Sequence, residues 1–128
     1  MKLWSACDSD LACDSPSISP EEVQRSLEES VELVAELQSR TGVRPLCFAA
    51  DLHSGARFAQ GAATAADAGA VAAAGAALSR SLTAAQRLGS ECFSYWGGRE
   101  GYSSPLNTDA TRDIRLYGRV LRMIVGKV

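Results

Sequence analysis

Cys92-Phe93-Ser94-Tyr95-Trp96 runs without a charge into Gly97-Gly98-Arg99-Glu100-Gly101. A short aromatic run of this kind reads as a buried strand. Two consecutive glycines, which tolerate positive φ because they lack a Cβ, read as a tight turn opening into a polar loop. A strand that ends this way points to an α/β protein, in which the loops after the strands carry the chemistry.

The chain before and after this stretch repeats the same alternation. Lys2 to Cys7 is short and apolar enough for a strand and leaves the sheet at Asp8-Ser9-Asp10. Ser19-Pro20-Glu21-Glu22 has the marks of a helix start, with Ser at the N-cap, Pro at the first helical position and Glu22 completing a capping box. Val23, Leu27, Val31, Val34 and Leu37 follow at helical spacing, and Gly42 ends the helix. Pro45 to Ala50 reads as a second strand, with the proline tolerated at its beginning. Asp51 to Ala63 reads as a loop holding His53, Arg57 and Gly61. Thr64 and Asp67 are candidate caps for an alanine-rich helix that reaches Leu88 and stops at Gly89. Cys92 to Trp96 is the third strand. A last helix, begun by Asn107 or Thr108, places Ile114, Tyr117, Leu121 and Ile124 at spacings of three and four.

Strand and helix alternating three times implies parallel strands joined by right-handed crossovers. With 128 residues the chain fits one domain of about three parallel β/α units. A complete (β/α)₈ barrel takes roughly 250 residues. The units therefore form either part of such a barrel or a small open three-layer sheet.

Composition narrows the partners. A formal charge of -2 and a pI near 5.4 give no basic footprint for nucleic acid. No apolar stretch approaches the ~20 residues of a membrane span, and acidic residues follow the amino terminus too soon for a signal peptide. The expectation is a cytoplasmic protein that touches neither nucleic acid nor membrane. Its four cysteines, Cys7, Cys13, Cys47 and Cys92, are then expected as reduced thiols. They do not form a zinc signature, since Cys7 and Cys13 are separated by five residues and the others stand alone.

Trp96-Gly97-Gly98-Arg99-Glu100-Gly101-Tyr102, with Leu106-Asn107-Thr108-Asp109 after it, closely resembles the signature of xylose isomerases. The resemblance covers most of the chain, from about Trp4 to the last helix. Ala50 to Phe58 resembles a loop that usually reads Ala-Asn-Leu-Phe-Ser-Asn-Pro-Arg-Phe, and Gly61-Ala62-Ala63-Thr64 matches its usual continuation. The resemblance implies a partial TIM barrel, its second to fourth β/α units, as a single domain over residues 1–128. It also implies the interconversion of D-xylose, and often D-glucose, with the corresponding ketose by a hydride shift between C1 and C2. In that family two divalent metals such as Mg²⁺, Mn²⁺ or Co²⁺ polarise the sugar oxygens. Their ligands lie on later strands, so the resemblance predicts a truncated member without a metal site of its own.

The same resemblance assigns the candidate residues. Where the family usually reads Phe-His-Asp-x-Asp-Ile-Ala-Pro, the chain has Ala6-Cys7-Asp8-Ser9-Asp10-Leu11-Ala12-Cys13. Cys7 thus holds the catalytic histidine position and Asp10 that of its supporting aspartate. An ordinary thiol, with a pKa near 8.5, is a poor proton shuttle at neutral pH. Cys47 stands where a pocket tryptophan is usual and His53 where phenylalanine is, while Trp96 keeps an aromatic wall for the sugar or else fills the core. Gly97, Gly98, Arg99 and Glu100 are expected to be structural, with Arg99 and Glu100 an ion pair bracing the loop. Two other readings compete with an impaired isomerase. One is a non-catalytic fragment that associates with itself or with a full-length isomerase through exposed strand edges. The other is a redox-active thiol protein.

Overall fold

Gly42 and Gly89 both adopt positive φ, 70° and 64°, and each sits just past the end of a helix. At the second, the Gly89 N–H donates to the Gln86 carbonyl at 3.1 Å and the Ser90 N–H to the Ala85 carbonyl at 3.0 Å, the paired bonds of a Schellman motif. A computed structural model of the chain describes residues 20–53, 55–100, 106 and 109–126. Over these it is an α/β fold of three helices and a parallel sheet of two strands. The predicted strand from Lys2 to Cys7, with Cys7 and Asp10, lies outside the described residues.

The elements are α1 (Pro20–Thr41), β1 (Cys47–Asp51), a 3₁₀ turn (Ala56–Phe58), α2 (Ala68–Arg87), β2 (Cys92–Trp96) and α3 (Ala110–Val125). The β2 boundaries are those expected. Of the two candidate caps for α2, Asp67 acts as one, its carboxylate accepting from the Gly69 and Ala70 N–H groups at 3.1 and 2.9 Å. Thr64 is used elsewhere. Helix α3 starts later than expected, because Asp109 rather than Asn107 or Thr108 caps it by accepting from the Arg112 N–H at 2.9 Å.

Helix α2 is the centre of the packing. Its small side chains let neighbours approach closely, and Ala74 and Leu78 are fully enclosed. One side of α2 meets Ala50, Leu52, Phe58, Phe93 and Tyr95 from the sheet and its loops, together with Ile124 and Val120 of α3. The other side, through Ala84 and with Leu88 beyond its end, meets Val31, Leu27 and Val34 of α1 and Phe48 of β1. Burying a Leu-sized side chain stabilises the fold by roughly 2 kcal/mol. The predicted apolar stripe of α1 is therefore largely confirmed, except that Leu37 remains 41 % exposed.

The α3 stripe is shifted from the expected one. Asp113 and Ile124 are buried, with Tyr117 and Val120 partly so, a spacing of four, three and four that turns one face inward. Ile114 and Leu121 lie one residue further round and stay exposed, at 72 % and 38 %.

The register pairs Cys47 with Cys92, Phe48 with Phe93, Ala49 with Ser94, Ala50 with Tyr95 and Asp51 with Trp96. Side chains alternate along a strand. Phe48, Ala50, Phe93 and Tyr95 therefore face the helices, and Cys47, Ala49, Asp51, Cys92, Ser94 and Trp96 share the opposite face. At the start of that face the two cysteines are joined in a disulfide, with Cα atoms 4.6 Å apart. The expectation of reduced thiols fails at Cys47 and Cys92, because the parallel register sets two residues 45 positions apart in sequence directly opposite each other.

Candidate site at the carboxyl ends of the strands

The carboxyl ends of β1 and β2 bring Asp51, His53 and Trp96 together. Asp51 ends β1 opposite Trp96, and the chain then turns so that the His53 N–H donates to Asp51 Oδ1 at 2.9 Å. This is an Asx-type turn, in which a short carboxylate takes the place of a backbone acceptor two residues ahead. The turn folds the His53 ring back, placing Nδ1 2.9 Å from the same Oδ1. The Asp51 side chain is only 10 % exposed and that of His53 41 %. The imidazole thus rests on a nearly enclosed carboxylate with one edge in solvent.

Trp96 is 59 % exposed, so it does not fill the core. Its ring centroid lies 6.3 Å from that of His53, with the planes tilted at 52°. The two rings form an open wedge. Gly98 closes the wedge from behind, since a Cβ there would lie 2.8 Å from Trp96 Nε1 and 3.1 Å from His53 Cγ. Only a glycine lets the loop backbone approach both rings so closely.

Glu100 braces the loop, but not through Arg99. Its Oε1 accepts from the Ala63 N–H at 2.6 Å and from the Tyr95 hydroxyl at 2.5 Å. Its Oε2 accepts from the Ala62 and Thr64 N–H groups at 3.1 and 3.0 Å and from the Thr64 hydroxyl at 2.5 Å. Among the described residues no ion pair joins Arg99 to Glu100, so that expectation is corrected: peptide and hydroxyl donors, not a guanidinium, satisfy the carboxylate. Desolvation by burial acts to raise the Glu100 pKa, but the hydrogen bonds from Thr64, Tyr95 and Ala63 outweigh it and hold the carboxyl below its ordinary value. Desolvation and the Glu100 bond push the Tyr95 hydroxyl well above its ordinary range.

Two glycines make this brace possible. Gly61, at φ 94°, would bring a Cβ within 2.7 Å of Thr64 Oγ1. Gly97 would bring one within 2.5 Å of Glu100 Cγ and 3.3 Å of Tyr117. Tyr117 in turn packs edge-on against Tyr95, with centroids 4.6 Å apart, tying α3 to the same cluster.

Of the predicted site residues, the structure gathers His53, Trp96, Gly97, Gly98 and Glu100 at one end of the sheet. It does not bring Cys47 there. Cys47 lies about 13 Å along β1 from Asp51, at the rise of an extended strand, and its sulfur is bonded to Cys92. Asp51 went unremarked in the sequence, although its spacing two residues before the only histidine was the available signal.

Among the described residues no group of three or more His, Cys, Asp or Glu side chains is placed to hold a metal ion. Among the same residues no helix is long and apolar enough to cross a membrane.

No family model matches the chain. Individual relatives do. It is 37% identical over 126 residues to a xylose isomerase of Hordeum vulgare, an alignment covering 98% of this chain and 26% of the relative. A xylose isomerase of Ruegeria sp. (strain TM1040) is 42% identical over 101 residues, covering 79% of this chain and 23% of the relative. One of Arabidopsis thaliana is 37% identical over 123 residues, covering 96% and 25%. The chain spans about a quarter of the length of these curated relatives. Near-complete alignment at this identity, with the Trp96 loop and the parallel β/α units in place, makes the chain a member of the xylose isomerase family.

Proposed function

We propose that the chain is the sugar-facing part of an aldose–ketose isomerase acting on D-xylose, and by the family's breadth D-glucose, in the cytoplasm. The observation that carries this reading is the exposed Trp96 at the carboxyl end of β2, beside the polar His53–Asp51 pair. An indole face takes up the apolar C–H face of a sugar while neighbouring polar groups receive its hydroxyls. On this reading residues 1–128 form one partial (β/α)₈ domain, in which Cys7 and Asp10 hold the family's histidine and aspartate positions. The hydride shift needs Mg²⁺, Mn²⁺ or Co²⁺ held by several carboxylates, which the described residues do not assemble. On this reading the chain is impaired on its own. Incubation with D-xylose and each metal should give no D-xylulose above background, and formation at a rate typical of isomerases would contradict the reading.

A second reading is a non-catalytic fragment that associates with itself or with a full-length isomerase. It is favoured by Leu33, Leu46, Ile114 and Val125, which are 59 %, 69 %, 72 % and 71 % exposed. Light scattering that reports oligomers supports it. A monomer that unfolds cooperatively contradicts it.

A further inference from the structure

Helices α1 and α3 pack on opposite sides of α2, and each turns a stripe of exposed apolar side chains away from it. On α3 the inward residues are Asp113, Tyr117, Val120 and Ile124. One residue advances about 100° round a helix. Ile114, Leu121 and Val125, each one position after an inward residue, therefore form a single exposed stripe. Arg115, Arg119 and Arg122, two positions after, are exposed on the outer surface beside it. Met123, on the other flank, approaches α2, since a Cβ at Gly75 would lie 3.6 Å from its Cε. The arrangement on α1 is reversed. Its inward residues include Val31, Val34 and Gln38, whose amide donates to the Leu88 carbonyl at 3.1 Å. Leu33 and Leu37, one position before, are exposed, and Glu29, Glu32 and Glu36, two positions before, are exposed on the outer surface. The flank of α1 that does meet α2 is the opposite one, where Gln24 and Glu28 line a cleft against Ser79 and Thr83.

We propose that a second copy of this chain covers each stripe, the α3 face of one copy docking on the α1 face of the next. This rests on the self-associating reading above and names its surfaces. The two faces complement each other: Ile114, Leu121 and Val125 meet Leu33 and Leu37, while the outer rows set Arg115, Arg119 and Arg122 against Glu29, Glu32 and Glu36. The apolar stripes supply the burial, and the charges choose the partner face. Docking α3 on α3 or α1 on α1 would instead bring guanidinium rows together or carboxylate rows together, which opposes association. The contact is therefore heterologous. Each copy offers one face of each kind, so assembly does not end at two copies but runs on until a ring closes or a filament forms. Glu36 already pairs with Arg40 of its own helix at 3.4 Å, which makes Glu29 and Glu32 the carboxylates to test.

The test is sedimentation of the full chain over a range of concentrations, with circular dichroism to establish that each variant is folded. Wild-type chain should form species larger than a dimer. Leu33→Asp disables the α1 face and Ile114→Asp the α3 face, so each variant alone should be monomeric. An equimolar mixture of the two retains one good face on each partner and should give a one-to-one dimer that grows no further. Glu29→Arg with Glu32→Arg should weaken wild-type assembly about 10-fold, the scale of a few surface ion pairs replaced by like charges. Adding Arg115→Glu and Arg119→Glu to the same chain should restore it. A wild-type assembly that stops at a dimer, variants that assemble like wild type, or a mixture that stays monomeric overturns this pairing of faces and leaves self-association standing. Wild-type chain that is monomeric at every concentration overturns both.

Discussion

The two ends of the sheet are held in opposite ways. At the amino ends a covalent bond joins Cys47 to Cys92, and the Ser90 hydroxyl bonds the Leu46 and Cys92 carbonyls at 3.2 and 3.0 Å. At the carboxyl ends a single carboxylate, Glu100, gathers three peptide N–H groups and two hydroxyls. The first clasp responds to redox state and the second to pH. Only the second lies beside the Asp51, His53 and Trp96 wedge. Loops after the strands are thus shaped by adjustable polar bonds, while the far end is simply fastened.

Breaking the covalent clasp should have the largest effect. A bridge closing a loop of this length, 45 residues in separation, stabilises by about 4 kcal/mol in the chain-entropy account. Cys92→Ser, or reduction by a dithiol, should lower the denaturant midpoint accordingly in urea titrations. The wedge should keep its geometry, because it does not contact the bridge.

Replacing Glu100 by Gln should come next. Both carboxylate oxygens accept from donors, so either orientation of the amide turns its NH₂ toward an N–H or O–H. Leaving buried donors unpaired at Ala62 to Thr64 costs roughly 3 kcal/mol, from 1–3 per group. The pH profile sharpens this. Glu100 has a folded pKa below its ordinary 4.5, so its stabilisation is present above that value and lost as pH falls through the folded value. Tyr95 is raised above its ordinary 10.0, so its contribution is present below 10.0 and lost as pH rises through the folded value. Thermal melts across pH should show Glu100→Gln flattening the acid limb and Tyr95→Phe the alkaline one, with Cys92→Ser changing neither.

Gly98→Ala should cost about 1–2 kcal/mol through overpacking, and should displace the His53 and Trp96 rings. Tryptophan fluorescence should report the displacement even where the melting temperature barely moves. Asp67→Ala, remote from both ends, should cost about 1 kcal/mol by loss of the α2 cap, visible in a urea melt and silent in the wedge.

What was legible in the sequence was local. Gly42, Asp67 and Gly89 mark helix ends by chemistry confined to a few neighbouring residues, and Cys92 to Trp96 reads as a strand because an uncharged aromatic run of that length has few other uses. The two-sided apolar surface of α3 misled, since Ile114 and Leu121 satisfy helical spacing as well as Val120 and Ile124 do, and only packing against α2 separates them. The Glu100 brace and the Cys47–Cys92 bridge join residues 36 to 38 and 45 positions apart. No spacing rule reaches that far, because strand register decides it. The Asp51–His53 contact lies within two residues and could have been read from the Asx-turn pattern, but the pairing with Trp96 again required the register.

The central claim is that the carboxyl ends of β1 and β2 face a sugar. Titration of the chain with D-xylose, followed by NMR of the Trp96 indole N–H and the His53 ring protons, tests it most directly. Saturable shifts of both sets, abolished for the indole in Trp96→Phe and absent at Cys47 and Cys92, are the predicted result. Spectra unmoved at Trp96 and His53 up to molar sugar, or shifts confined to the disulfide end, would contradict it.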